Sequence, residues 1–203
     1  MIAKFPSRRP SRSTRFVLNV LFLLLFCASL TLSGCAVLPA LQDSAAADFR
    51  LRGKIGARGG TENDGFAASF DWIQAGEGYV IELWGPFGQG RTRLQGDGTT
   101  LTITDPYGTT LVGESPETLM QQHLGWSAPV VVLGHWVRGR PAPGYAATLH
   151  EHDAQGHLER FAQLGWTVEL SRWRDRASGV LPGKVVAIRN GRRVTVICRE
   201  WSS

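Results

Sequence analysis

Phe66-Ala67-Ala68-Ser69-Phe70-Asp71-Trp72 and, a few residues on, Tyr79-Val80-Ile81-Glu82-Leu83-Trp84 repeat with a period of two. In an extended chain successive side chains point to opposite faces, so Phe66, Ala68, Phe70 and Trp72 share one face of a strand. Tyr79, Ile81 and Leu83 do the same in the next. The alternation spreads outward in both directions. Phe49, Leu51, Gly53, Ile55 and Ala57 precede it. Short strands over 89–96, 99–105 and 108–113 follow, separated by Gly96-Asp97-Gly98 and Asp105-Pro106-Tyr107-Gly108, both turn formers. These six strands read as an antiparallel meander.

The period then changes. Ser115-Pro116-Glu117 is a helix start, with Ser as cap and Pro in the first turn. One helix is expected over 116–123, ended by Gly125-Trp126, and a second over 129–138, stopped at Gly139-Arg140-Pro141. Strands resume over 145–152, 157–163, 166–173, 184–189 and 193–200, the last pair joined through Asn190-Gly191. A long flat sheet leaves edges that pair with other chains, so eleven strands with short turns favour curling. The expected fold is mainly β, an open, incomplete antiparallel barrel of about eleven strands, with a few helices covering an apolar cavity.

Charge divides the chain differently. The 203 residues include 22 Lys plus Arg and 17 Asp plus Glu, a net charge of +5, with 43% hydrophobic and 19% charged residues. That balance excludes a disordered, charge-rich chain and a polytopic membrane protein. Lys4, Arg8, Arg9, Arg12 and Arg15 all precede residue 35, where no acid occurs; without those five, 17 basic residues face 17 acids. Nucleic acid is therefore not an expected partner. The apolar run Phe16–Leu32 follows the basic segment and leads to Leu32-Ser33-Gly34-Cys35, the order of an export signal. The Cys after Leu-Ser-Gly resembles the lipobox of bacterial lipoproteins, which implies that the Cys35 thiol receives a diacylglyceryl group. Ala36, in place of Asp, implies by the same resemblance transport to the outer membrane. The expected divisions are a signal peptide (1–34), a lipidated tether (35–47) and a folded domain (48–203). A tether of thirteen residues reaches at most about 45 Å, so the domain works near the membrane.

The search for chemistry yields little. Cys198 remains alone after Cys27 and Cys35 are accounted for, and reads as a small buried hydrophobe. His150 and His152 would share a strand face and could meet one ion, but no third ligand is evident, so no metal is assigned. A nucleophile elbow, a His-Glu-x-x-His pair and a phosphate loop are all missing from the sequence, and no catalytic residue or cofactor is assigned. Arg172, Arg174 and Arg176 alternate, and Arg192-Arg193 follow a hairpin. They are solvated edge charges or contacts for an acidic partner or anionic head groups. In Gly85-Pro86-Phe87-Gly88 one large apolar residue sits in a tight turn. Phe87 either folds back into the core or touches membrane or ligand.

Several segments together resemble the outer-membrane lipoprotein receptor family LolB. They are Cys35 with its lipobox; Phe49-Arg50-Leu51-Arg52-Gly53; Phe70-Asp71-Trp72-Ile73-Gln74; Gly85-Pro86-Phe87-Gly88; Leu124-Gly125-Trp126-Ser127-Ala128-Pro129-Val130; Leu133-Gly134-His135-Trp136-Val137-Arg138-Gly139; Gln163-Leu164-Gly165-Trp166; Leu181-Pro182; and Trp201. The resemblance implies an open barrel whose apolar cavity accepts acylated lipoproteins from the periplasmic carrier LolA and inserts them into the outer membrane, facing the periplasm. It implies no enzyme and no nucleotide. The family's protruding loop carries an apolar residue, usually Leu, needed for membrane insertion; Phe87 holds that position here. The cavity walls are expected from Phe66, Phe70, Trp72, Tyr79, Ile81, Leu83, Ile103, Leu119, Val132 and Trp136. A monomer is expected, in contact with LolA, acylated substrates and outer-membrane lipids. Two other readings are a scaffolding lipoprotein that binds an envelope protein through its sheet edges, and a lipid-processing enzyme using His150 or His152.

Overall fold

A computed structural model describes residues 47–59 and 65–202. The signal peptide, Cys35 and nearly all of the tether lie outside them. β1 (Phe49–Arg58) and β2 (Gly65–Ala75) pair antiparallel along their length, Phe49 opposite Gln74 and Arg58 opposite Gly65. β3 (Gly78–Trp84), β4 (Thr92–Gly96), β5 (Leu101–Thr104) and β6 (Thr110–Gly113) continue the meander. Two short helices follow, α1 (Pro116–Leu124) and α2 (Val130–Trp136). β7 (Ala147–His152), β8 (Leu158–Gln163), β9 (Trp166–Ser171), β12 (Lys184–Arg189) and β13 (Arg192–Ser202) form the second half.

β13 pairs with β1, so both halves merge into one eleven-stranded sheet in the order β6-β5-β4-β3-β2-β1-β13-β12-β9-β8-β7. The edge strands β6 and β7 do not pair with each other, and the barrel stays open. β1 and β13 approach closely at Gly53, where the ladder slips by one residue. A Cβ at Gly53 would overlap the Ile197 carbonyl oxygen and press on Phe70.

Some expectations are corrected. A separate hairpin of β10 (Arg174–Arg176) and β11 (Gly179–Leu181) was not foreseen. Arg172, Arg174 and Arg176 do not alternate along one strand. Arg172 takes a left-handed φ of 60°, and the Gly183 N–H donates to the Ser171 and Arg172 carbonyls, so β9 ends at Ser171. β4 starts at Thr92 because the turn after β3 consumes the residues before it. α2 stops at Trp136, short of 138. Ser115 precedes α1 as expected, but its hydroxyl bonds the Thr118 hydroxyl at 2.9 Å and no backbone amide.

Inward alternation builds the core. Leu51, Ile55 and Ala57 are buried on β1, and Val194, Val196 and Cys198 on β13. Burial pushes the Cys198 thiol up to about 12, which keeps it an uncharged thiol. Trp136, fully buried, donates from Nε1 to Gln163 Oε1 at 2.9 Å. Gln163 also accepts the Ala142 N–H and donates to the Ala142 and Tyr145 carbonyls. One buried amide thus ties α2 and the loop behind it to β8, with its own polar groups satisfied. The Trp136 ring meets Phe161 and Trp166 edge-on at 6.2 and 6.3 Å.

Candidate functional site: the covered interior and the protruding tip

α1 and α2 lie across the concave face. Gly134 on α2 packs on Trp72 and Gln74 of β2, and Leu119 on α1 packs on Gly113. In the connection between the helices, Trp126 stacks on Phe66 of β2, centroids 4.8 Å apart and planes 16° apart. Beneath this cover is an apolar cavity of about 20 Å³, room for about one water molecule. Four of the expected wall residues line it, Phe70, Trp72, Ile81 and Leu83.

The other six do not line it. Phe66 is half-buried under Trp126. Tyr79 and Ile103 are core residues of β3 and β5, and burial pushes the Tyr79 phenol up to about 12. Leu119 is half-buried against Gly113. Val132 and Trp136 are buried but lie on a different face of α2; Val130 and Leu133, one helical turn apart, are the residues that reach the cavity. Sequence reasoning also missed Ile55, Leu94, Trp126, Ala128 and Val196. The signal was present for most of them: Ile55, Leu94 and Val196 belong to apolar alternations, and Trp126 and Ala128 to the Gly-Trp-Ser-Ala-Pro segment.

Phe87 is 98% exposed, which excludes the reading in which it folds back into the core. Pro86–Gly88 form a single tight turn between β3 and β4. The Gly88 N–H donates to the Gly85 carbonyl and the Gly85 N–H to the Gln89 carbonyl, at 3.2 and 2.8 Å. Phe87 itself holds φ 59° and ψ 20°, a left-handed conformation uncommon for a bulky residue.

The outer face of the sheet differs entirely. A broad groove of about 800 Å³ crosses it, and a line of charge runs over five adjacent strands: Glu200, Arg52, Asp71, Glu82 and Arg93 are successive cross-strand neighbours. Arg50 binds Asp71 through two hydrogen bonds of 2.8 and 2.6 Å, and Arg52 adds a third. Partial burial pushes the Asp71 carboxyl up, but the bonds and charges of both arginines outweigh it and hold it below the ordinary carboxylate range. Glu82 is shared in the same way by Arg91 and Arg93. Though far larger than the interior cavity, this groove has charged walls that would strip no water from an acyl chain.

His150 and His152 are exposed on the edge strand β7. Leu149 has a left-handed φ of 54° and the ladder slips on both sides of Glu151, so simple alternation does not hold there. Among the described residues, no three His, Cys, Asp or Glu side chains gather around one point.

Over residues 47–201 the chain matches the family described as outer membrane lipoprotein LolB. The chain belongs to the LolB family of outer-membrane lipoproteins. The LolB of Chromohalobacter salexigens is 39% identical over 153 residues, 75% of this chain and 70% of that one. The LolB of Halorhodospira halophila is 33% identical over 187 residues, 86% of this chain and 91% of that one. Among solved structures, a LolA superfamily protein from Nitrosomonas europaea has the same fold, with a TM-score of 0.50 over 77% of this chain and 86% of that one at 8% identity. The LolB match begins two residues before β1 and ends within β13, so it covers all but the last residue of the sheet and both helices.

Proposed function

We propose that this LolB-family chain accepts acylated lipoproteins from a LolA-type carrier and releases them into the outer membrane from its periplasmic face. Lipidated Cys35 is the anchor, the covered interior is the transient acyl site, and Phe87 is the tip that enters the bilayer. The observation that carries the reading is an interior lined by apolar side chains and covered by two short helices instead of a second sheet. A cavity of about 20 Å³ holds no acyl chain, so uptake requires the 116–136 segment to move off the concave face. Phe70, Trp72, Ile81, Leu83, Val130 and Leu133 then become the acyl contacts, and Phe66, Leu119, Val132 and Trp136 move with the helices or frame them. Burying each CH₂ is worth about 0.8 kcal/mol. An interior slightly better for acyl chains than the donor's, and worse than the bilayer, makes both steps downhill. The transfer breaks no covalent bond and calls for neither catalytic residue nor cofactor.

The test combines carrier-bound acylated protein, this chain and liposomes. Phe87→Glu is expected to fold, to take up the acylated protein and to retain it. Normal insertion by that variant would remove the role of the tip. An apolar fluorescent probe is expected to bind the wild type and to be displaced by acylated substrate. A probe that never binds would favour a scaffolding lipoprotein with a solid core.

A further inference from the structure

Phe87 is not the lone exposed aromatic at its end of the sheet. In an antiparallel meander the β3–β4 and β5–β6 turns emerge on the same side, about 10 Å apart across two strand spacings. Tyr107 is the tip of the β5–β6 turn and is 93% exposed. The registers place both tips at one level: Glu82 faces Arg93, and Arg93 faces Thr104, so each tip lies a few residues beyond the same row. The turn is built to hold Tyr107 outward. Asp105 accepts the Tyr107 and Thr109 N–H groups on its carboxylate, both at 2.8 Å, and the Gly108 N–H on its carbonyl at 3.1 Å. A rigid turn that displays an aromatic ring to water gains nothing for the fold.

Arginines accompany these tips. Arg91 closes the Phe87 loop, ion-paired with Glu82 and with its guanidinium 5.3 Å from the Trp84 ring centroid. On the same rim the β12–β13 hairpin carries Arg192 and Arg193, both exposed and without an acidic partner among the described residues. Arg193 faces Arg58, the last residue of β1. Among the described residues the exposed positive charge of this rim lies at Arg58, Arg192 and Arg193.

We propose that the membrane contact is a two-tip rim, in which Phe87 enters the acyl region, Tyr107 seats at head-group level, and Arg192 and Arg193 bind the phosphates of anionic phospholipids. The inference rests on the reading that the Phe87 tip meets a bilayer. Tyr has an apolar ring and a polar hydroxyl, the combination enriched at membrane interfaces, whereas Phe has no polar group to keep wet. Arginine offers a fork of donors that matches a phosphate. Such a rim fixes the tilt of the domain, which a single tip cannot do.

The test uses the mature lipidated chain. Cys35 is acylated and Cys198 buried, so one introduced thiol takes a polarity-sensitive fluorophore. Labels go at Phe87→Cys, Tyr107→Cys and, in the opposite β2–β3 turn, Glu77→Cys. The chain is placed in phosphatidylethanolamine vesicles with or without phosphatidylglycerol and with a spin-labelled lipid quencher. With phosphatidylglycerol, labels at 87 and 107 are expected to shift blue and be quenched, and the label at 77 to stay as in water. Arg192→Glu with Arg193→Glu is expected to lower the inserted fraction at 107 about fivefold or more, with unchanged thermal unfolding. A quenched 87 with a water-like 107 overturns the two-tip rim and leaves the transfer reading standing. Both labels water-like overturns the bilayer tip itself. Quenching at 107 that ignores both phosphatidylglycerol and the arginine reversals overturns the anionic-lipid assignment.

Discussion

Gly53 illustrates how one position can carry the joint between the two halves of the sheet. With no side chain it lets the Ile197 carbonyl come close while β1 slips one residue against β13. Gly53→Ala is therefore expected to lower stability by about 1–3 kcal/mol, as forced overpacking does, read as a drop in melting temperature. A variant that melts with the wild type would show that the strands can part at no cost. His135 provides a pH dependence. Burial, then the charges of Arg140 and Arg138, hold its imidazole below the ordinary histidine range, and its buried Nδ1 has no hydrogen-bond partner among the described residues. The fold thus favours neutral His135. Its contribution is complete above the unfolded value of 6.5 and is lost as pH falls through the lower folded value. Denaturant midpoints should fall from pH 7.5 to pH 5.5, and less steeply in His135→Gln; equal slopes would assign the acid sensitivity to another group.

At the scale of elements, the strands were legible because alternation over four or more residues records which face is wet. The three-residue strands β10 and β11 carry no period, and nothing in the sequence marks the left-handed Arg172 that ends β9. α2 was placed to within two residues at either end, but its facing was not. It is seven residues long and opens Val130-Val131-Val132-Leu133, with too few polar positions to tell the cavity side from the sheet side. In the connection between the helices, the contact with the sheet is the Phe66–Trp126 stack. Trp126→Ala is expected to loosen the helical cover. Hydrogen exchange over 116–128 should rise more than in β12–β13, and apolar dye binding should increase. Equal acceleration throughout would mean that helices and sheet open as one unit.

For the whole molecule, composition located the charge excess but could not draw the charged line across the outer face. Each of its members is an ordinary surface residue in its own strand. Their order, Glu200-Arg52-Asp71-Glu82-Arg93, exists only through the register of strands that are distant in the chain. The same limit hid the rim, since Phe87, Tyr107 and Arg193 share an end of the sheet by topology alone. By contrast, Trp136 and the Gln163–Trp166 segment were both read from the sequence as separate pieces, and the fold joins them through one buried amide.

The pairing of the first strand with the last has a consequence in time. The centre of the sheet is a ladder between residues near 50 and residues near 200, so the loop it closes is almost the entire domain. Closing so long a loop brings a large entropic cost before any contact repays it, and such topologies fold slowly. A chain still emerging from a ribosome has β1 through β9 and no strand to join them to. Until β13 is made, the edge of β1 that it covers is unpaired and the two halves of the sheet stay separate.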